Sequence, residues 1–141
     1  MAASRFVDTN ILLYAISTAP DERAKTSIAL EILGRNDLAL SVQVLQEFYV
    51  QATRPGKADR IRHDQAAALI ESWLRFPVQE TTVALLLAAM DAREHYRLSF
   101  WDAAIIEAAR MMGCGQVLSE DLSHGAKYGD IVVVNPFRRS R

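Results

Sequence analysis

Four acidic residues stand where a carboxylate can do chemistry: Asp8, Glu47, Asp102 and Asp121. Asp8 follows the short apolar run Phe6-Val7 and precedes Thr9-Asn10-Ile-Leu-Leu, a strand running into a helix, which is where open α/β sheets put their ligand crevices. Asp121 follows a second such run, Val117-Leu118-Ser-Glu. In a parallel sheet both carboxylates emerge at the same edge. Glu47 falls about a turn and a half into the helix expected after Leu38-Ala-Leu40, and Asp102 in the first turn of a helix opened by Ser99, so both can reach that edge. Like charges gathered there repel and remain ionised together only around a cation. Hard oxygen donors with room for water suit Mg²⁺ or Mn²⁺ rather than zinc.

Each acid also has a plainer reading. Asp8 or Asn10 could cap a helix. Glu47 borders an apolar stripe and could be a solvated helix residue. Asp102 ends a capping-box pattern, Ser99-Phe-Trp-Asp, where an acid is favoured in any case. Asp121 could be a turn residue. Other chemistries find less support. The lone Cys114, between Gly113 and Gly115, excludes an intrachain disulfide and a multi-Cys metal site and has no partnered base. The three histidines are not at zinc-ligand spacing.

The elements that must position these acids follow from periodicity and punctuation. With 141 residues, half of them hydrophobic, the chain is expected to form one domain over residues 1–141. Pro20-Asp21 is expected to open a helix with Asp21 as cap and Ala24, Ile28 and Ile32 on one face, ending near Gly34. Ser41 is a good cap for a helix with the stripe Val44, Leu45, Phe48 and Ala52. A further helix begins at His63-Asp64 with Ala67, Ile70 and Leu74 inward, followed by the extended piece Phe76-Pro-Val78. From Thr82 another helix presents Val83, Leu86, Leu87 and Met90 as its packed side. The Ser99 helix closes at Gly113, and Val117-Leu118 and Ile131–Val134 complete the strands. Strands alternating with helices predict a three-layer α/β/α sandwich. Its central sheet is mostly parallel, of about five strands, with the first strand central.

Charge is nearly balanced, 16 Lys and Arg against 17 Asp and Glu, so a nucleic-acid partner cannot be argued from net charge. The local cluster Arg54, Lys57, Arg60 and Arg62, against Asp59 alone, is a candidate phosphate-contacting rim or else a solvated connector, and Arg138, Arg139 and Arg141 add positive charge at the tail. No apolar run reaches membrane-spanning length and no basic-then-apolar segment opens the chain, so a soluble cytoplasmic protein is expected.

Taken together, Val7-Asp8-Thr9-Asn10, Glu47 after the second strand, Ser99-Phe-Trp-Asp102-Ala103, and Leu118-Ser119-Glu120-Asp121-Leu122 before a Val-rich strand resemble the PIN domain. More narrowly they resemble the VapC-type toxin ribonuclease of type II (VapBC) toxin–antitoxin pairs. The resemblance runs from Phe6 to Phe137. It implies an endoribonuclease dependent on Mg²⁺ (or Mn²⁺), with Asp8, Glu47, Asp102 and Asp121 as catalytic metal ligands and a cation-activated water attacking the RNA phosphodiester in line. It implies Asn10 and Ser119 as polar supports of the acids, a homodimer, and a small VapB-like antitoxin that fills a groove and blocks the acids. Leu12, Tyr14, Phe48 and Tyr49 could line that groove, although core packing suits most of them better. Many relatives carry two Asp separated by one residue in the last motif, whereas Glu120 and Asp121 are adjacent, which leaves open whether Glu120 shares in binding metal. A turn role suits His124 better than a substrate contact. A HAD-like phosphohydrolase would need a second Asp where Asn10 stands, and a receiver domain would need paired acids after the first strand. A non-catalytic PIN scaffold binding RNA or protein would be expected to have lost part of the acid set, and all four acids are present.

Overall fold

A computed structural model describes residues 3–138. The tail arginines Arg139 and Arg141 lie outside the described residues. The chain runs β1 (Arg5–Val7), α1 (Thr9–Ile16), a 3-10 turn (Pro20–Glu22), α2 (Arg23–Leu33), β2 (Leu38–Ser41) and α3 (Val42–Ala52). It continues with α4 (His63–Trp73), β3 (Val78–Gln79), α5 (Val83–Tyr96), α6 (Phe100–Met111), β4 (Gln116–Leu118), β5 (Lys127–Tyr128) and β6 (Ile131–Val134).

Among the described residues the sheet has six strands in the order β3-β2-β1-β4-β6-β5. All neighbours are parallel except β5 and β6. β1 is interior, as expected, and all four residues of β2 are buried, which requires cover on both faces of the sheet. Helix α1 packs on α2 and α3, α3 on α4, and α5 on α6. Phe6, Ile11, Leu40, Val44, Phe48, Ile106, Val117 and Val133 fill the core with no exposure, and Phe48 meets Trp73 edge-on at 4.8 Å.

The sheet therefore has one strand more than the expected five. β5 has only two residues, too few to show alternation. It exists because Gly129, at φ 66°, turns the chain tightly and pairs Tyr128 with Ile131. A Cβ at Gly129 would sit 2.9 Å from an Arg110 guanidinium nitrogen, so the turn also brings the backbone close against α6. Asp21 does not cap α2: residues Pro20–Glu22 form a 3-10 turn, and the helix buries Ala29 and Leu33, one position off the expected stripe, while Ala24 is exposed. Helix α4 turns Ala66 and Trp73 inward and leaves Ala67 and Leu74 exposed, because the larger indole seats against Phe48.

The largest departure is α5. Its first two turns are apolar nearly all round, so the sequence offers two candidate inner faces. The small-residue side, Leu85, Ala89 and Ala92, packs inward, and α5 lies against α6, whose residues Ala103–Ala109 are all buried. Val83, Leu86, Leu87 and Met90, expected to be packed, are 72%, 45%, 55% and 50% exposed. Leu12 and Phe48 are fully buried core residues, and only Tyr14 and Tyr49 of the expected groove residues are partly accessible.

Candidate functional site

The site is built where β1 and β4 end. Val7 pairs with Leu118, and the ladder continues one step further, with the Asp8 amide donating to the Leu118 carbonyl at 3.0 Å. Asp8 and Ser119 thus leave neighbouring parallel strands at the same level. Ser119, with no exposure, donates its hydroxyl to Asp8 Oδ2 at 2.7 Å and accepts from the amides of Asp121 at 3.1 Å and Leu122 at 3.3 Å. One hydroxyl therefore fixes the Asp8 carboxylate and the turn that carries Asp121.

Asp8 takes the cap position, one of the two readings its sequence left open. It caps α1, accepting from the Thr9 amide at 2.8 Å through one oxygen, and presents the other to Ser119. Asn10 is not the cap but lies in the first turn, buried, with its Oδ1 accepting from the Glu120 amide at 3.1 Å. That bond turns its NH₂ towards the acids, where it lies 3.4 Å from Asp8 Oδ2, 3.2 Å from Ser119 Oγ and 3.3 Å from Asp121 Oδ2. These are long contacts that share two N–H groups among three acceptors. Burial pushes the Asp8 carboxyl up to about 6, against the Ser119 and Thr9 hydrogen bonds that hold it down and with help from the charges of Asp121 and Glu47.

Ser41 caps α3, its hydroxyl accepting from Val44 at 3.3 Å, which sets the phase that brings Glu47 to the same cleft. Glu47 accepts from the Thr9 hydroxyl at 3.1 Å and from Gln43 Nε2, one turn back, at 2.9 Å. At α6 the capping box is only half made. Ser99 Oγ accepts from the Asp102 amide at 3.1 Å, and among the described residues the Asp102 carboxylate makes no hydrogen bond in return, so it remains available to the cleft.

Asp8, Asn10, Glu47, Asp102 and Asp121 all line one cleft of about 880 Å³, with Ser119 buried behind them. Of the four basic rim candidates only Lys57 lines it. Arg54 and Arg60 are exposed on the same loop, and Arg62 pairs with Asp64 at 3.0 Å out in solvent. His124 is structural, its Nδ1 accepting from the Asn135 amide at 3.0 Å. Cys114 is buried, and burial raises its thiol to about 11, which removes it as a nucleophile.

Of the seven cleft carboxylates, Glu22 accepts from the Ser17 hydroxyl and the other six fall into two groups. Glu120 bonds Lys25 Nζ at 2.5 Å and accepts from the Tyr14 hydroxyl. Although its own burial works against this, those partners hold it below the usual carboxylate range. Asp59 is paired with Lys57, which likewise holds its carboxyl below the usual carboxylate range. Asp8, Glu47, Asp102 and Asp121 have no basic partner among the described residues. A set of hard oxygen donors with uncompensated charge and one deeply buried member fits a divalent cation such as Mg²⁺ or Mn²⁺. No three His, Cys, Asp or Glu side chains among the described residues stand close enough together to enclose an ion between them.

Sequence reasoning gave no role to Thr9, Gln43 or Lys25 and offered Tyr14 only as a groove residue. Gln43 lies one helical turn before Glu47, a signal that was available, whereas nothing local links Lys25 to Glu120, which is 95 residues away.

No curated protein sequence matches the chain. Among solved structures, a toxin–antitoxin complex from Klebsiella pneumoniae superposes with a TM-score of 0.70 at 20% identity, covering 94% of this chain and 98% of that one. VapC20 of Mycobacterium tuberculosis, a toxin that cleaves the sarcin–ricin loop, gives 0.62 at 21% identity over 84% and 90%. VapBC2 from Rickettsia felis, bound to promoter DNA, gives 0.61 at 16% identity over 92% and 96%. These likenesses establish the shared fold. The PIN domain family matches residues 5–128, which includes all four cleft acids and nearly every element of the sheet, and the chain belongs to that family.

Proposed function

We propose that this PIN domain is a Mg²⁺- or Mn²⁺-dependent endoribonuclease and the VapC-type toxin of a toxin–antitoxin pair. The observation that carries the reading is the sorting of charge in the cleft: Glu120 and Asp59 are neutralised by lysines, while Asp8, Glu47, Asp102 and Asp121, like Glu22 beside Ser17, are left without a basic partner among the described residues. Those four residues would hold the metal. When bound, Mg²⁺ or Mn²⁺ supplies a Lewis acid for the phosphoryl oxygens and lowers the pKa of a coordinated water enough to make it a nucleophile near neutral pH.

The chain's own residues prepare the site. Ser119 and the Thr9 amide orient Asp8, Gln43 and the Thr9 hydroxyl orient Glu47, and Asn10 ties the Asp121 turn back to α1. Fixing the carboxylates beforehand lowers the reorganisation needed to gather like charges. The backbone of RNA would be held by Arg54, Lys57, Arg60 and Arg62, on the loop that borders the cleft. The partners of this reading are an RNA substrate, a VapB-like antitoxin that covers the acids, and a second copy of the chain. Similarity to toxin–antitoxin complexes and to an RNA-cleaving toxin supports it.

The test is cleavage of structured RNA by the purified chain, freed of any bound antitoxin, with Mg²⁺, with Mn²⁺ and with chelator. Cleavage is expected only with metal. Asp8→Asn is expected to lower it by more than the roughly 10- to 100-fold that loss of an outer support costs. Equal cleavage by both proteins, or none under any metal condition, would sink the nuclease reading.

A further inference from the structure

The cleft is poor in the groups that normally attract RNA. Seven acidic residues line it against a single lysine, Lys57, and that lysine is already paired with Asp59. A strand entering the cleft gains little from phosphate contacts inside it, so something uncharged must hold the nucleotide beside the acids. Trp101 is placed for that. It lines the cleft directly before Asp102 and is 64% exposed, although large aromatic side chains are mostly buried in folded chains. Its position is well defined. Gln43 Nε2 donates to the Trp101 carbonyl at 3.3 Å and to Glu47 Oε1 at 2.9 Å, so one amide sets the indole's backbone and an acid together. The ring packs edge-on against Phe100 at 5.0 Å, while the other tryptophan, Trp73, is 4% exposed in the core.

We infer that Trp101 is a stacking platform for an unpaired nucleobase of the RNA, next to the phosphodiester that the acids cleave. This rests on the nuclease reading and adds to it the residue that holds the substrate beside the acids, by a base that is unpaired or splayed out of its helix at the cut. A base within a duplex has no free face to offer the indole. Stacking accepts every base, so Trp101 selects strandedness rather than sequence.

The test measures anisotropy of a fluorescein-labelled single-stranded oligoribonucleotide and of a blunt-ended RNA duplex, in chelator so that the RNA stays intact. Trp101→Ala is expected to weaken single-strand binding by roughly 5- to 150-fold, the range of one lost stacked base. It should leave duplex binding and thermal stability unchanged. Trp101→Phe should recover most of the affinity. Quenching of tryptophan emission on binding should be seen in the wild type and lost in Trp101→Phe, because the core Trp73 reports nothing. Equal single-strand affinity of wild type and Trp101→Ala overturns the inference and leaves the indole to a protein partner. Failure of the wild type to bind any single strand overturns it as well. Metal-dependent cleavage is scored separately. If it is abolished by Asp8→Asn while Trp101→Ala binds normally, the nuclease reading stands and the stacking fails. If no metal supports cleavage while Trp101→Ala binds weakly, the reverse holds.

Discussion

At the residue scale the decisive contrast lies between Asp8 and its supports. A carboxyl raised from 3.8 to about 6 in the folded chain binds a proton that the unfolded chain has already released, so the native state is penalised as pH rises. The penalty begins near pH 4, is complete a little above pH 6, and amounts to about 3 kcal/mol. In chelator, Asp8→Asn should therefore gain stability over wild type between pH 4.5 and 7, with thermal unfolding at several pH values as the measurement. A Tm difference flat in pH would refute this, and added Mg²⁺ should raise the wild-type Tm alone. Ser119→Ala tests the support. Losing the hydroxyl orphans the Asp121 and Leu122 amides at a fully buried position, for a stability cost of about 1–3 kcal/mol, and should reduce cleavage roughly 10- to 100-fold. That four acids share one cleft was legible in part: Asp8, Asp102 and Asp121 stand at strand ends or a helix start, which are local signals, whereas Glu47, inside α3, was singled out by the resemblance of the whole set. The roles of Thr9, Lys25 and Tyr14 were not legible, because they depend on partners brought close only by the fold.

At the element scale the caps explain why so much of the secondary structure could be read directly. Ser41, Thr82 and Ser99 each accept from the amide three residues on, and each was visible as a polar residue ahead of an apolar run. What could not be read was rotation about a helix axis. Helix α5 has apolar residues on two sides, and which one turns in is settled only by its packing against α6, brought close by the fold. The end of α5 also departs from the usual pattern, since Arg97 closes it in the left-handed region at φ 57°, where glycine is the favoured residue. Arg97 is exposed and has no ion pair among the described residues, so the side chain offsets little of that strain. Arg97→Gly should stabilise the chain by roughly 0.5–1 kcal/mol, seen as a higher Tm or urea midpoint. A lower midpoint would mean that the arginine makes a contact worth more than the relief.

At the scale of the whole molecule, two surfaces remain to be accounted for: the acidic cleft and the apolar side of α5. The cleft has its reading above. On α5, Val83, Leu86, Leu87 and Met90 lie at helical spacing i, i+3, i+4 and i+7, a continuous stripe of the kind a helix normally buries. Nothing within the described chain covers it, and a second copy would bring the same stripe, so a twofold pairing of α5 against α5 buries apolar surface on both sides at once. The stripe carries no acid or base of its own, which removes the like-charge cost of bringing two identical faces together. The proposed homodimer is therefore expected to form through α5. Light scattering coupled to size exclusion should give twice the chain mass for wild type at micromolar concentration and the single-chain mass for Leu87→Glu. Far-ultraviolet circular dichroism of that variant should be unchanged, since Leu87 is already 55% exposed and the substitution disturbs no core contact. A monomeric wild type, or a Leu87→Glu variant that still dimerises, would remove α5 from the interface.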